Sequence, residues 1–174
     1  MPLRKAAERT LAKLRGIRTE QMAAWSAEKV IERLALEVMR RAYAGDIAFL
    51  QRRDLYDPST LAQKQVDRAT LQSMLDWIFW KADYAIRVMV TGSAIRSALR
   101  QSDQYDAVDR NILRTELETR RGLVALGVSA GPDGALLVDG LPIEATRLCG
   151  VVTTDYMGLG DTGYTQLQEK PPLP

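Results

Sequence analysis

The stretch VVTTDYMGLGDTGYTQLQEKPPLP, residues 151–174, decides how the rest of the chain is read. It carries turn residues and aromatics, and neither a helical nor a strand period runs long enough in it to fold alone. Gly158, Gly160 and Gly163 match G-x-G-x-x-G, and the GVVTTDYM that leads into them passes for a strand. A dinucleotide site, however, needs a helix after those glycines, so that its N–H groups face the pyrophosphate, and then a second strand bearing an acidic residue. Here eleven residues follow Gly163, three of them proline. The glycines therefore predict turns in an extended arm, and no cofactor is expected. Tyr156, Met157, Leu159, Tyr164 and Leu167 are spaced irregularly among Gly, Thr and Asp, with Pro171 and Pro172 beyond them. That suits a segment laid over a partner protein with each side chain in its own depression. An arm of this kind is more readily ordered by a neighbour than by its own small domain. A chain cut before Gly150 is expected to stay folded and to lose its place in a complex.

Upstream the pattern reads as helix. Leu3, Ala7, Leu11 and Leu14 recur at helical spacing over residues 3–15, with Lys5, Arg9 and Lys13 on the opposite face. From about residue 19 to 44, Ala23, Ala27, Val30, Ile31, Leu34, Val38 and Ala42 form a second stripe. DIAFLQRR, residues 46–53, predicts a short helical piece, and Asp57-Pro58 supplies a start signal for a long helix. That helix carries Leu71, Met74, Leu75, Ile78, Ala82, Ala85, Ile86 and Met89 on one face and Trp77, Trp80, Tyr84 and Val88 on another. A helix apolar on two faces belongs inside a bundle or against another copy, so Trp77, Trp80, Tyr84 and Val88 are the expected oligomer interface. Thr91-Gly92-Ser93 predicts a kink, with helix resuming to Arg100, and a further helix runs from Ser102 or Asp103 to Leu126. Then the pattern changes: Asp139-Gly140 between ALLV and LPIE is the signal for a type I′ hairpin, with Pro142 confining its strand to an edge. The expected fold is mainly α, a helical bundle with one C-terminal β-hairpin and an extended C-terminal arm. Its parts are a helical domain over 1–127, the hairpin over 128–145 and the arm over 146–174.

Composition narrows the chemistry. The 174 residues contain no histidine and one cysteine, Cys149, so no Ser-His-Asp or Cys-His arrangement and no internal disulfide can be built from them. Asp103, Asp106 and Asp109 read as a solvated face with helix-terminal charge, and neither a catalytic residue nor a metal site is expected. The N-terminal charges lead into no apolar run of the signal-peptide kind, which with the lone cysteine predicts a cytoplasmic protein. Leu71 to Val90 is the one span of membrane length, but Lys81 and Asp83 would cost about 5 to 7 kcal/mol there while its Leu, Ile, Phe and Val return about 2 to 4. No membrane is expected.

The net charge of +2 hides an asymmetry: 12 Lys+Arg against 6 Asp+Glu over residues 1–53, and 2 against 6 over 128–174. AKLRGIRTEQMAAW, residues 12–25, loosely fits a helix-turn-helix, and Arg4, Lys5, Arg9, Lys13, Arg15 and Arg18 supply charge for phosphates. A solvated basic face gives the same pattern.

Helical bundle, hairpin and arm in this order are similar, in architecture only, to ring-forming adaptor or connector proteins of tailed-phage particles, and more loosely to small terminase subunits. The resemblance implies a non-enzymatic assembly protein, a homo-oligomer docked on protein partners in a large assembly through its arm, and in that case one assembled into a virion. The alternative is a nucleic-acid-binding protein, a packaging subunit or regulator that uses the basic front helix.

Overall fold

The chain is described here by a computed structural model, over residues 27–55, 85–111, 121–131 and 134–168. Helix α1 (Ala27–Ala42) leads to strand β1 (Ile47–Gln51) and a single turn, α2 (Arg52–Leu55). Strand β2 (Ala85–Thr91) runs into helix α3 (Gly92–Asn111). Strands β3 (Leu123–Leu126), β4 (Val128–Ala130), β5 (Leu136–Val138), β6 (Leu141–Pro142) and β7 (Leu148–Thr154) follow, then helix α4 (Asp155–Leu159) and a 3-10 turn over Thr165–Leu167. Two sheets result, one of order β2-β7-β1-β3 and one of order β4-β5-β6. The fold is mixed α/β, and the expected helical bundle with an extended arm is overturned.

The correction begins with the tail. Leu148–Thr154 pairs antiparallel with β2 along its whole length and parallel with β1, so it is an inner strand of the main sheet. Its Val151, Val152, Thr153 and Thr154 are β-branched and stiff, suited to a pleated surface packed on both sides, and all four are buried. Asp46 holds it in register: the Asp46 N–H donates to the Gly150 carbonyl at 2.8 Å, and the Gly150 N–H donates to the Asp46 carboxylate at 2.7 Å.

Three other helix expectations also fail. IAFLQ, placed in a helical piece over 46–53, is strand β1, buried at every position, with helix only in Arg52–Leu55. Ala85–Thr91, placed at the end of the long helix begun at Asp57-Pro58, is strand β2, where buried Val88 and Val90 alternate with exposed Arg87 and Met89. LVAL, placed at the end of a helix to Leu126, is strand β3, paired antiparallel with β1. At Thr91-Gly92-Ser93 a strand gives way to a helix, and α3 runs without a break to Asn111.

Alternation along the strands divides the core in two. Ala48 and Leu50 of β1 face α1, where Ala35, Leu36, Val38 and Met39 pack on them with Val124 and Val152. Helix α1 lies within the stripe predicted for residues 19–44. Ile47 and Phe49 point the other way, toward Ile95 and Ala98 of α3, Val88, Val90, Cys149 and Val151 of neighbouring strands, and Met157, Tyr164 and Leu167 of the tail. Each large side chain so covered contributes about 1.5 to 3 kcal/mol.

The second sheet flanks this larger core through Leu136 and Val138 of β5, joined by Ile143 just after β6. Gly127, at φ 88°, turns the chain out of β3 and into β4. At Asp139-Gly140 both residues take positive φ, 50° and 81°, the geometry a type I′ turn requires. Arg40 of α1 pairs with Asp139 and so ties this hairpin to the helix layer.

Candidate functional site

Strands β1 and β7 run parallel, with Ile47 opposite Val151 and Ala48 opposite Val152, so their carboxyl ends open on the same edge of the sheet. Gln51 leads there into α2 and Thr154 into α4. In open α/β sheets this edge is where ligands bind, because strand ends and helix starts leave a crevice with free backbone groups.

The rim of the edge is built by residues 154–163. Thr154 caps α4, its hydroxyl accepting from the Met157 N–H at 3.4 Å, and Gly160, at φ 88°, closes the other end with its N–H on the Met157 carbonyl. This short helix sits directly on β2: a Cβ at Gly158 would collide with Ile86 Cδ1. The capped turn buries Met157 completely and turns Tyr156 and Leu159 outward, each 63% exposed. Asp155 accepts from the Tyr156 N–H at 2.8 Å, and the Asp161 N–H donates to the Tyr156 carbonyl at 3.0 Å. An aromatic ring, an aliphatic side chain and the Asp155 carboxylate therefore stand on a backbone pinned from below, with the Asp161 carboxylate on the loop that follows.

The floor is fastened by α3. The Tyr164 hydroxyl donates to the Arg121 carbonyl at 2.9 Å, and its ring meets Tyr105 edge-on at 5.7 Å. Burial drives the Tyr164 phenol well above its ordinary range. Gln101 donates to the Tyr105 hydroxyl at 2.7 Å and the Gly163 carbonyl at 3.0 Å, and accepts from Gln166 at 2.8 Å. Beside it Arg52 reaches Glu32 at 3.0 Å and Asp106 at 3.7 Å; being part-exposed, each pair contributes about 0 to 1 kcal/mol.

Gln51 is the polar residue of the interior here, 0% exposed at the end of β1. Its amide donates to the Thr162 carbonyl at 3.4 Å, and its Oε1, like the Thr162 hydroxyl, is buried without a hydrogen-bond partner.

Among the residues singled out from sequence, Tyr156 and Leu159 stand on the rim, whereas Met157, Tyr164 and Leu167 are core. Val88 is 1% exposed, packed between the sheet and its covering layer of α3, α4 and the tail. Pro171, Pro172, Trp77, Trp80, Tyr84 and the basic set Arg4, Lys5, Arg9, Lys13, Arg15 and Arg18 lie outside the described residues. Cys149 is buried in β7, its thiol pushed up by burial and then by the Asp46 charge, against a smaller opposing effect of Arg147. Among the described residues no group of three or more His, Cys, Asp or Glu is placed to hold a metal, and no helix is long and apolar enough to cross a membrane.

Sequence reasoning missed Gln51, Thr154, Asp161 and Thr162. The signal was present in GVVTTDYM followed by a glycine-bracketed turn, a strand that ends at a rim. A dinucleotide site is one use of such a turn and not the only one.

No protein-family model matches the chain, and no curated protein matches it in sequence. Its fold does match solved structures. Over 82% of its length the chain resembles a putative 5'-nucleotidase from Staphylococcus aureus, solved in complex with alpha-ketoglutarate, at a TM-score of 0.58 and 16% identity. Over 83% it resembles a 5'-nucleotidase precursor from Thermus thermophilus, at a TM-score of 0.51 and 17% identity. It spans 30% of the first protein and 28% of the second. The likeness is one of fold. It overturns the expected phage-like connector and its DNA-packaging alternative, since the described residues form a mixed α/β fold shared with proteins that are neither; the basic front helix of the alternative lies outside those residues. The exclusion of an enzyme falls with them, since the proteins that share this fold are named as nucleotidases.

Proposed function

We propose that this chain is the substrate-recognition part of a nucleotide hydrolase, and that the rim at the carboxyl ends of β1 and β7 takes the nucleoside end of a 5'-nucleotide. The observation that carries this reading is the Tyr156 ring, 63% exposed beside an equally exposed Leu159 on a capped turn that Met157, wholly buried, anchors to the core. A flat aromatic carried on a capped backbone at a sheet's ligand edge suits a planar base, and stacking of a base on an aromatic side chain contributes about 1 to 3 kcal/mol. Asp155 and Asp161 beside it supply acceptors for ribose hydroxyls or base amino groups. The fold shared with two nucleotidases supports the same substrate class, and the chain's 28–30% span of those proteins fits a part that recognises rather than a whole that hydrolyses.

Titration calorimetry of the chain with adenosine 5'-monophosphate tests the reading. Binding in the micromolar to millimolar range is expected, with Tyr156→Phe close to the parent and Tyr156→Ala weaker by about ten-fold. Absence of binding at millimolar nucleotide, or equal affinity of Tyr156→Ala and the parent, would sink it.

A further inference from the structure

Two buried polar atoms at the rim have no partner, and they belong to residues that face one another. Gln51 reaches the loop through one long bond, 3.4 Å to the Thr162 carbonyl, while its Oε1 is left without a donor. The Thr162 hydroxyl is left without a partner in the same loop. A buried polar group with no partner destabilises the state that buries it, and one such group on each side of a single contact concentrates that penalty in the closure itself.

The loop is also built to move. Gly160 and Gly163, at φ 88° and 87°, bracket Asp161 and Thr162. Glycine passes between left- and right-handed conformations with little steric cost, so these two positions can absorb a change of backbone direction. Outside them the chain is fixed, since Met157 and Tyr164 are fully buried. Between the anchors the loop is held by the Asp161 N–H on Tyr156, the Gly163 N–H on Gly160 at 3.2 Å, and Gln101 on the Gly163 carbonyl.

We infer that residues 160–163 form a flap, hinged at Gly160 and Gly163, whose closed state is held back by the unpartnered Gln51 and Thr162 groups. Opening lets water, or a hydrogen-bond donor of a molecule on the rim, reach Gln51 Oε1. Only that last consequence rests on the nucleotide reading; the opening itself is measurable with nothing bound.

Amide hydrogen exchange followed by NMR on the full chain tests the flap without ligand. The Asp161 and Gly163 amides report opening, and Val152 in β7 reports the sheet. Asp161 and Gly163 are expected to exchange at least about a hundred-fold faster than Val152, as a locally opening unit does. Gln51→Met keeps the side-chain length and removes the orphaned oxygen, so it is expected to slow both loop amides by about 3- to 10-fold relative to Val152. Thr162→Val removes the other orphan and is expected to act in the same direction, which keeps the test alive if Gln51→Met does not fold. Loop amides as protected as Val152, or faster loop exchange in either variant, would overturn the proposal, because the groups would then be holding the loop shut. Adenosine 5'-monophosphate failing to bind would leave these rates untouched and would count against the nucleotide reading alone.

Discussion

Cys149 shows how one side chain reports its surroundings. Its thiol lies in an inner strand at 1% exposure, and burial, reinforced by Asp46, holds the proton on. Two consequences follow. A thiol kept neutral and out of solvent is a poor nucleophile, so a water-soluble disulfide reagent should modify it only as fast as the protein opens, and at once in denaturant. The second concerns pH: a group whose folded pKa is raised binds its proton more tightly when folded, so its contribution to stability is whole below the unfolded value of 9.0 and is lost as pH rises through the folded one. Tyr164 shifts in the same direction and extends the loss further into alkali. Urea unfolding midpoints should therefore fall from about pH 8 upward, and more shallowly in Cys149→Ala. An equal alkaline slope in the variant would show that the thiol is not buried as described.

At the scale of elements the turns separate conformational strain from lack of room. Gly140 and Gly127 both take positive φ, 81° and 88°, but nothing lies within 4 Å of a Cβ built at Gly140 whereas one at Gly127 would collide with the Asp46 carbonyl. Gly140→Ala should therefore cost about 1 to 2 kcal/mol from the left-handed backbone alone, and Gly127→Ala measurably more, because it must also displace β1. Equal costs in urea titration would contradict the close approach of β3 to the start of β1. Turns such as Asp139-Gly140 were legible in the sequence because their requirement is local. So was α1, a one-sided helix whose stripe has period 3.6. The inner strands were not. IAFLQ is buried on both faces and so has no alternation, which leaves a short apolar run that suits helix and strand alike. In β2 the period of two was present, Val88 and Val90 against Arg87 and Met89, but it followed an apolar stretch of helical spacing and was absorbed into it. Of the rim, the sequence marked Tyr156 and Leu159 among its irregularly spaced large residues, but it could not set the loop that follows them against Gln51, whose amide reaches Thr162 across 111 positions. Only the parallel pairing of β1 with β7 brings the two together.

Taken as a whole, the molecule closes on its own last segment. Main-sheet strands come from residues 47–51, 85–91, 123–126 and 148–154, and the last joins β2 to β1. Among the described strands, β2 has no other partner in the sheet and β1 would keep only β3. The same segment supplies Cys149, Val151, Met157, Tyr164 and Leu167 to the larger core. Each contributes on the order of 1.5 to 3 kcal/mol on burial, against a total stability of about 5 to 15 kcal/mol for a typical domain. A chain ending at Arg147 is therefore expected to lose its cooperative unfolding transition and its strand signal in circular dichroism, and to bind a hydrophobic dye, the reverse of what an accessory arm predicts. If the chain ending at Arg147 instead melts cooperatively with its strand content intact, β7 is not an inner strand, and the rim that depends on its carboxyl end is lost with it.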